Sequence, residues 1–275
     1  MNLPKPQDIK QFQTEVWRFY AEHAREMPWR HPDDEGVYDP YKIMVSELML
    51  QQTQVTRVIP KYAEFITAFP DAKTLASAEL GTVLAVWSGL GYNRRAKYLW
   101  QTAHEITQRF NGIMPSSLAE LVTLLGIGKN TAAAICAYAY DVPVVFVETN
   151  IRTVYIHHFF KDSVDVKDRD IIALVTATLP VRDYRNWYYA LMDYGAHIKA
   201  TVGNLNKHAK AYQKQPTFKG SRRQLRGSIL RSLASHPQTI VGLRTHILDE
   251  RLADVVSELQ AENLIHLHDG LIILG

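Results

Sequence analysis

Cysteine is nearly absent: Cys136 is the one thiol in 275 residues. That excludes a disulfide framework within the chain. Cys136 lies in an Ala-rich stretch and reads as a small buried residue rather than a nucleophile. No apolar run reaches the roughly 18 residues that a membrane span needs. Met1-Asn2-Leu3-Pro4 leads into polar residues, not into a leader-like apolar stretch. A soluble, intracellular protein is expected. His157-His158 and His266-Leu267-His268 lack a third ligand at zinc spacing, so no metal site is expected.

Acidic residues are missing from one long block. Between Asp193 and Asp249 there are ten Lys or Arg and no Asp or Glu, although the whole chain carries only +3. Such asymmetry points to a polyanionic partner more than to a solvated linker. Hydrophobic residues make up 47% of the chain, enough for a core in each of two or three small domains.

What is present is mostly helical pattern. Ile9, Phe12, Val16, Phe19 and Tyr20 share one face of a helix over 8–26. Asp39-Pro40 opens a second helix, with Asp as N-cap and Pro in the first turn. Helices are predicted at about 59–68, 74–78 and 80–88. Gly89-Leu90-Gly91-Tyr92-Asn93 then leads into a basic helix closing at Asn111-Gly112. Ser117 and Glu120 form a capping box for a helix carrying Leu121, Leu124 and Leu125. Gly126-Ile127-Gly128 breaks it, and Lys129-Asn130-Thr131 starts an Ala-rich helix to about Tyr140. Further helices are predicted at 151–160, 168–179 and 184–196, then a polar, basic linker over 197–220. The last residues read as three helices, 222–235, 241–248 and 249–263, and a hairpin turning at Asp269-Gly270. That order suggests a winged helix. Its third helix is acidic, with Asp254, Glu258 and Glu262, and would repel phosphates, so an architectural or protein-binding role is expected of this domain, with the basic Arg222–Arg231 helix touching DNA if any part does.

Three constellations could carry chemistry. Glu47 and Gln51 share a helix face four residues apart, with Gln52 adjacent: an acid beside amides can protonate and recognise a heterocycle. A helix entered through Gly126 and Gly128, with Lys129, Asn130 and Thr131 in its first turn, turns bare N–H groups toward an anion. Glu148 follows downstream, and Asn150 either orients its carboxylate or caps the next helix. Tyr92, before Asn93, Arg94 and Arg95, could wedge into a base stack or simply pack its ring.

Several stretches together resemble one family. Met27-Pro28-Trp29-Arg30, Asp39-Pro40-Tyr41, the run Ser46-Glu47-Leu48-Met49-Leu50-Gln51-Gln52-Thr53-Gln54-Val55, Gly89-Leu90-Gly91-Tyr92 and Leu125–Ala132 are similar to the adenine DNA glycosylases of the MutY type. The glycine hairpin is shared by the wider helix-hairpin-helix glycosylase superfamily. The resemblance covers about 12–200. It implies an all-α fold of two lobes: 1–34 with 146–215, and 35–145. The winged-helix-like domain, 216–275, stands where that family's lesion-reading domain would be. It implies a monomer acting on double-stranded DNA with a mismatch or lesion, in the cytoplasm and associated with the nucleoid. By resemblance, Glu47 protonates the departing base, Arg30, Gln52 and Asp193 contact the flipped base, Tyr92 inserts beside its partner, and Glu148 and Asn150 serve the sugar. The reaction is hydrolysis of an N-glycosidic bond, with mispaired adenine opposite 8-oxoguanine or guanine as substrate. Another damaged or mismatched base, or lesion binding without catalysis, are the alternatives.

The chain departs from the family in three places. Glu148 stands where the family has aspartate. Lys199–Gln213 holds no cysteine where the family binds an iron–sulfur cluster, so no cofactor is expected, and Lys199, Lys207 and Lys210 are expected to take over phosphate contacts. Asn130 stands where bifunctional relatives carry a lysine, so little lyase activity is expected.

Overall fold

The computed structural model describes residues 3–161 and 163–275, in two compact units. The first comprises Met1–Ile43, Ser116–Leu118 and Gly128–Lys214; the second Met44–Pro115, Ala119–Ile127 and Gln215–Gly275. Fourteen α-helices and one hairpin are formed among the described residues. None of these helices is long and apolar enough to cross a membrane.

The first unit is built on α11 (Tyr184–Thr201), which packs against α1 (Pro6–His23), α8 (Lys129–Tyr140) and α9 (Thr149–Phe159). Its aromatic side chains supply the interlock. Phe12 of α1 meets Tyr155 and Trp187, Tyr138 stacks on Tyr189 at 4.5 Å, and Phe146 stacks on Tyr188 at 4.3 Å. Each pair adds to area burial through ring geometry. α8 carries five alanines in twelve residues, and small side chains let its neighbours come close; Ala132–Ala139, Cys136 included, are buried. α10 (Asp168–Thr178) completes the unit, with Gln13 of α1 donating to the Thr178 carbonyl at 2.9 Å.

The expected linker over 197–220 is only partly a linker. α11 continues to Thr201, five residues past the expected end. Residues 205–208 form a 3-10 turn whose Asn206 is buried and donates to the Thr149 carbonyl and the Thr153 hydroxyl. Val166 and Ala209 form a parallel bridge. One buried amide converts a polar stretch into a fixed strap, which composition does not reveal.

In the second unit, α6 (Arg94–Phe110) lies against α4 (Ala72–Ser77) and α5 (Leu80–Trp87). α2 (Pro40–Leu50) starts as expected, with Asp39 Oδ1 accepting from the Tyr41 and Lys42 amides. α3 spans Val55–Ala68, starting four residues before the expected 59. Pro60 lies inside the helix, forfeiting one bond there. The helix expected after Ser117 is a single turn, α7 (Leu118–Leu121); Leu121 and Leu124 are buried but Leu125 is 42% exposed.

The last residues follow the expected order. α12 (Arg222–Leu233), α13 (Ile240–Arg244) and α14 (Leu252–Ala261) precede β1 (Ile265–His268) and β2 (Leu271–Leu274). Asp269 and Gly270 both have positive φ, as a tight hairpin turn demands. Gln238 pairs with Ile272 as a third, one-residue strand. Gly81 of α5 lets the Leu274 backbone come close: a Cβ there would stand 3.0 Å from its carbonyl oxygen. The acidic face of α14 is neutralised within the fold. Arg222 and Arg226 of α12 reach Glu258, and Arg226 also reaches Glu262.

Candidate active site

Four pieces of local geometry hold the residues singled out by sequence. The first is the end of α2. Gln51 and Gln52 leave the helix just after Glu47, and Gln52 takes φ +56, a conformation uncommon for a residue with a Cβ. The Gly89–Tyr92 turn supplies a second such residue, Tyr92 at φ +49. Both are held by one buried side chain. Arg95 Nη1 donates to the Leu48, Met49 and Gln51 carbonyls at 2.7, 2.9 and 2.6 Å. Its Nη2 donates to the Gly91 carbonyl at 2.9 Å and the Thr53 hydroxyl at 3.0 Å. Its face lies over the rings of Trp87 and Tyr92, at 5.3 and 5.4 Å. Burial lowers the Arg95 pKa to about 10, still far enough above neutrality to keep the charge. The carbonyls at a helix end carry partial negative charge, so a cation suits them. Arg95 thus joins Gln51, Gln52 and Tyr92. It stood in the sequence as one more basic residue of α6; its signal was position, since Arg95, Leu99 and Ile106 share the buried stripe of that helix.

The second piece is the glycine hairpin. Gly126 has φ +82, and a Cβ there would stand 2.6 Å from Tyr98 Cβ, so only glycine fits. Gly128 is different. It caps α8 with extended backbone, and a Cβ there would meet nothing within 4 Å. The fold itself makes no demand for glycine at 128; the gap leaves the following amides accessible. Lys129 and Asn130 are exposed, and Thr131 is half-buried.

The third piece is the start of α9. Glu148 is its N-cap by backbone, yet its side chain makes no capping hydrogen bond. Burial raises the Glu148 pKa above the ordinary carboxylate range, and Arg152 pulls it back in part. Arg152 is itself engaged, forming paired bonds to Asp168 at 2.9 Å each. The backbone around Glu148 is pinned on both sides. Asn130 Nδ2 donates to the Val147 carbonyl at 3.1 Å. Gly195 of α11 lies so close to Asn150 that a Cβ would fall 2.2 Å from the Asn150 carbonyl oxygen.

The fourth piece joins two residues expected to touch the flipped base: Arg30 and Asp193 bind each other. Asp193 Oδ1 accepts from Arg25 Nε at 2.7 Å and Arg30 Nη2 at 2.8 Å. Its Oδ2 accepts from the Arg25 amide at 2.9 Å and Arg30 Nη1 at 2.8 Å. Four bonds fill a carboxylate's lone pairs. Arg30 also lies over the Tyr189 ring at 4.3 Å. The pair fastens the 3-10 turn Pro28–Arg30 and the end of α1 to α11. Two residues 163 apart in sequence offer no local signal of such a pairing.

The donor set after α11 does not fit an iron–sulfur cluster. Lys199–Gln213 holds no cysteine, and Cys136 is buried in α8 with its Sγ 3.7 Å from the Ser116 carbonyl.

A helical fold carrying this hairpin, with a carboxylate downstream of it, defines the helix-hairpin-helix class. Residues 45–172 match the HhH-GPD superfamily of base excision DNA repair proteins. The chain is 35% identical over 218 residues to the adenine DNA glycosylase of Buchnera aphidicola subsp. Baizongia pistaciae, covering 75% of this chain and 60% of that one. It is 37% identical over 192 residues to that of Mycobacterium tuberculosis, covering 67% and 60%. The chain therefore spans about 60% of the length of these curated relatives. Among solved structures, a thermostable thymine-DNA glycosylase aligns at TM-score 0.60 with 22% identity, over 69% of this chain and 87% of that one. A non-covalent endonuclease III–DNA complex aligns at TM-score 0.60 with 16% identity, over 72% and 90%. These two likenesses establish the fold.

Proposed function

We propose that this protein is a monofunctional DNA glycosylase that removes mispaired adenine in base excision repair, from duplexes where adenine faces 8-oxoguanine or guanine. The observation that carries the reading is the Arg95 clamp, which fixes the end of the Glu47 helix, Gln51, Gln52 and the Tyr92 turn as one assembly. The adenine DNA glycosylase relatives and the basic block over 194–248 support it.

Excision of a base makes a poor anionic leaving group and an oxocarbenium-like sugar. The target leaves the stack. Glu47, in its neutral form, gives a proton to the departing purine. Glu148, as carboxylate, stabilises positive charge at the sugar. The two groups need opposite protonation states, so their environments must separate them. The amides after Gly128 hold a phosphate, with Lys129 adding charge. Asn130 offers no amine for a Schiff base, so the product is an abasic site and the strand stays whole. The protein acts as a monomer on mismatched duplex DNA.

Glu148 favours one second reading, a different damaged or mismatched base. Its extra methylene extends the carboxylate by about 1.5 Å, and a misplacement of about 1 Å can cost roughly 100-fold.

Duplexes carrying A:8-oxoguanine, A:G and a panel of other lesions, treated with alkali after incubation, separate these readings. Cleavage at adenine only with alkali is expected, with about a 100-fold or greater loss in Glu47→Gln and no borohydride-trapped adduct. Cleavage at another lesion alone would replace adenine as substrate. Binding without cleavage on any duplex would reject the enzyme.

A further inference from the structure

A cavity of about 690 Å³ opens within the second unit, lined by Gln52, Tyr92, Gln215, Phe218, Arg223 and their neighbours. Its walls come from the Gln52 and Tyr92 turns on one side and from the chain leading into α12 on the other. The Tyr92 hydroxyl accepts from Gln215 Nε2 and from Arg223 Nη1. The same Gln215 amide donates to Gln52 Oε1 at 3.0 Å. The Arg223 guanidinium lies 5.1 Å from the centre of the Tyr92 ring and 5.2 Å from that of Phe218. A flat cation therefore lies about 5 Å from each of two aromatic rings. Phe218 is 53% exposed, so one wall of this slot faces solvent.

The arginines of α12 divide their work. Arg222 and Arg226 face the carboxylates of α14. Arg223 turns the other way, onto Tyr92. Arg57 and Arg231 line the same cavity and make it cationic. Gln52 and Tyr92 both hold strained left-handed backbone at its floor, and such strain collects at working sites.

We propose that this cavity takes one unpaired guanine of a DNA strand, with Tyr92 and Phe218 as stacking walls. Every base has a face that stacks on an aromatic ring. The Arg223 guanidinium then moves from beside the rings to the base edge. Its fork matches two adjacent acceptors, which guanine presents as O6 and N7. Arg57 and Arg231 suit the flanking phosphates. The chain at 215–231 thereby becomes a specificity element: Arg223 selects the base that remains when its partner is flipped out. This rests on the glycosylase reading above.

The test reads binding, not excision. Fluorescence anisotropy is measured on duplexes with one stable abasic analogue facing dG, dA, dC or dT. The wild-type protein is expected to prefer dG by about tenfold or more, the discrimination a bidentate arginine supplies. Arg223→Ala should bring all four within about twofold. Arg223→Lys keeps the charge but lacks the fork, and should lose the preference as well. Equal wild-type affinity for the four duplexes overturns the proposal, as does a preference that survives in either variant. Arg223→Lys keeps the result readable if the alanine variant misfolds. Because no bond is broken, a dG preference stands even if no adenine is excised, and its absence leaves an observed excision intact.

Discussion

Asp193 in the first unit and Arg95 in the second are both charged and both out of water, with 2% and 7% of their surface exposed. They are made tolerable in opposite ways. Asp193 meets opposite charge, from Arg25 and Arg30. Arg95 meets none: among the described residues its partners are backbone carbonyls and the Thr53 hydroxyl. An ion pair needs only that two side chains reach each other. A carbonyl cage needs the backbone itself to take a particular path. The first device fastens elements together; the second dictates the shape of two turns, and those turns carry Gln51, Gln52 and Tyr92. Glu148 is a third partly buried carboxyl, and the first remedy reaches it only in part, since Arg152 is already bound to Asp168.

The largest effect is expected for Arg95→Met. It leaves the carbonyls at the end of α2 without donors, at about 1–3 kcal/mol for each buried group. The unfolding free energy from denaturant titration should fall by several kcal/mol, with excision lost. Arg95→Lys should recover only a minor part, having three donors in place of a planar fork. Full recovery by lysine would show that charge, not geometry, is what the site requires.

Asp193→Asn comes next. It keeps the shape but leaves two arginines facing each other, and breaking a buried pair costs about 3–5 kcal/mol. Replacing Arg30 as well, with methionine, should restore part of that loss. A double variant no better than Asp193→Asn would mean that the pair does not act through charge.

The smallest effect has the opposite sign. The folded protein holds the Glu148 proton more tightly than the unfolded chain does, because burial raises its pKa. Ionising it therefore costs stability, a cost absent below the ordinary carboxylate pKa and complete above the raised one. Glu148→Gln should melt higher than wild type at pH 8, and the difference should vanish as the pH falls below that ordinary value. Excision should be lost at every pH. A lower melting point at pH 8 would place Glu148 among the stabilising carboxylates instead.

Much of this was legible in the chain. Asp39-Pro40, Asn111-Gly112, Gly126-Ile127-Gly128 and Asp269-Gly270 mark helix ends and turns because each sets φ or supplies a cap locally. Glu47 with Gln51, the glycine turn and Tyr92 were found the same way, by spacing along one helix or one turn, whereas Arg30 and Asp193 entered only through the family resemblance. What stayed hidden depends on distance in sequence: Asp193 with Arg30, Asn206 with Thr153, Arg95 with Leu48. No local rule tells which arginine of Arg94-Arg95 turns inward, although the apolar stripe of α6 carried the hint.

Gly195 has a consequence for how position 148 can vary. With Asn150 against its missing side chain and Val147 tied to Asn130, the main chain there has no slack in either direction. Side-chain length at 148 then works as a ruler: one methylene more or less sets carboxylate reach directly. Glu148→Asp withdraws the charge by about one carbon–carbon bond, about 1.5 Å, without moving the frame that holds it. The distance from frame to carboxylate is in this way a property that a single codon can change.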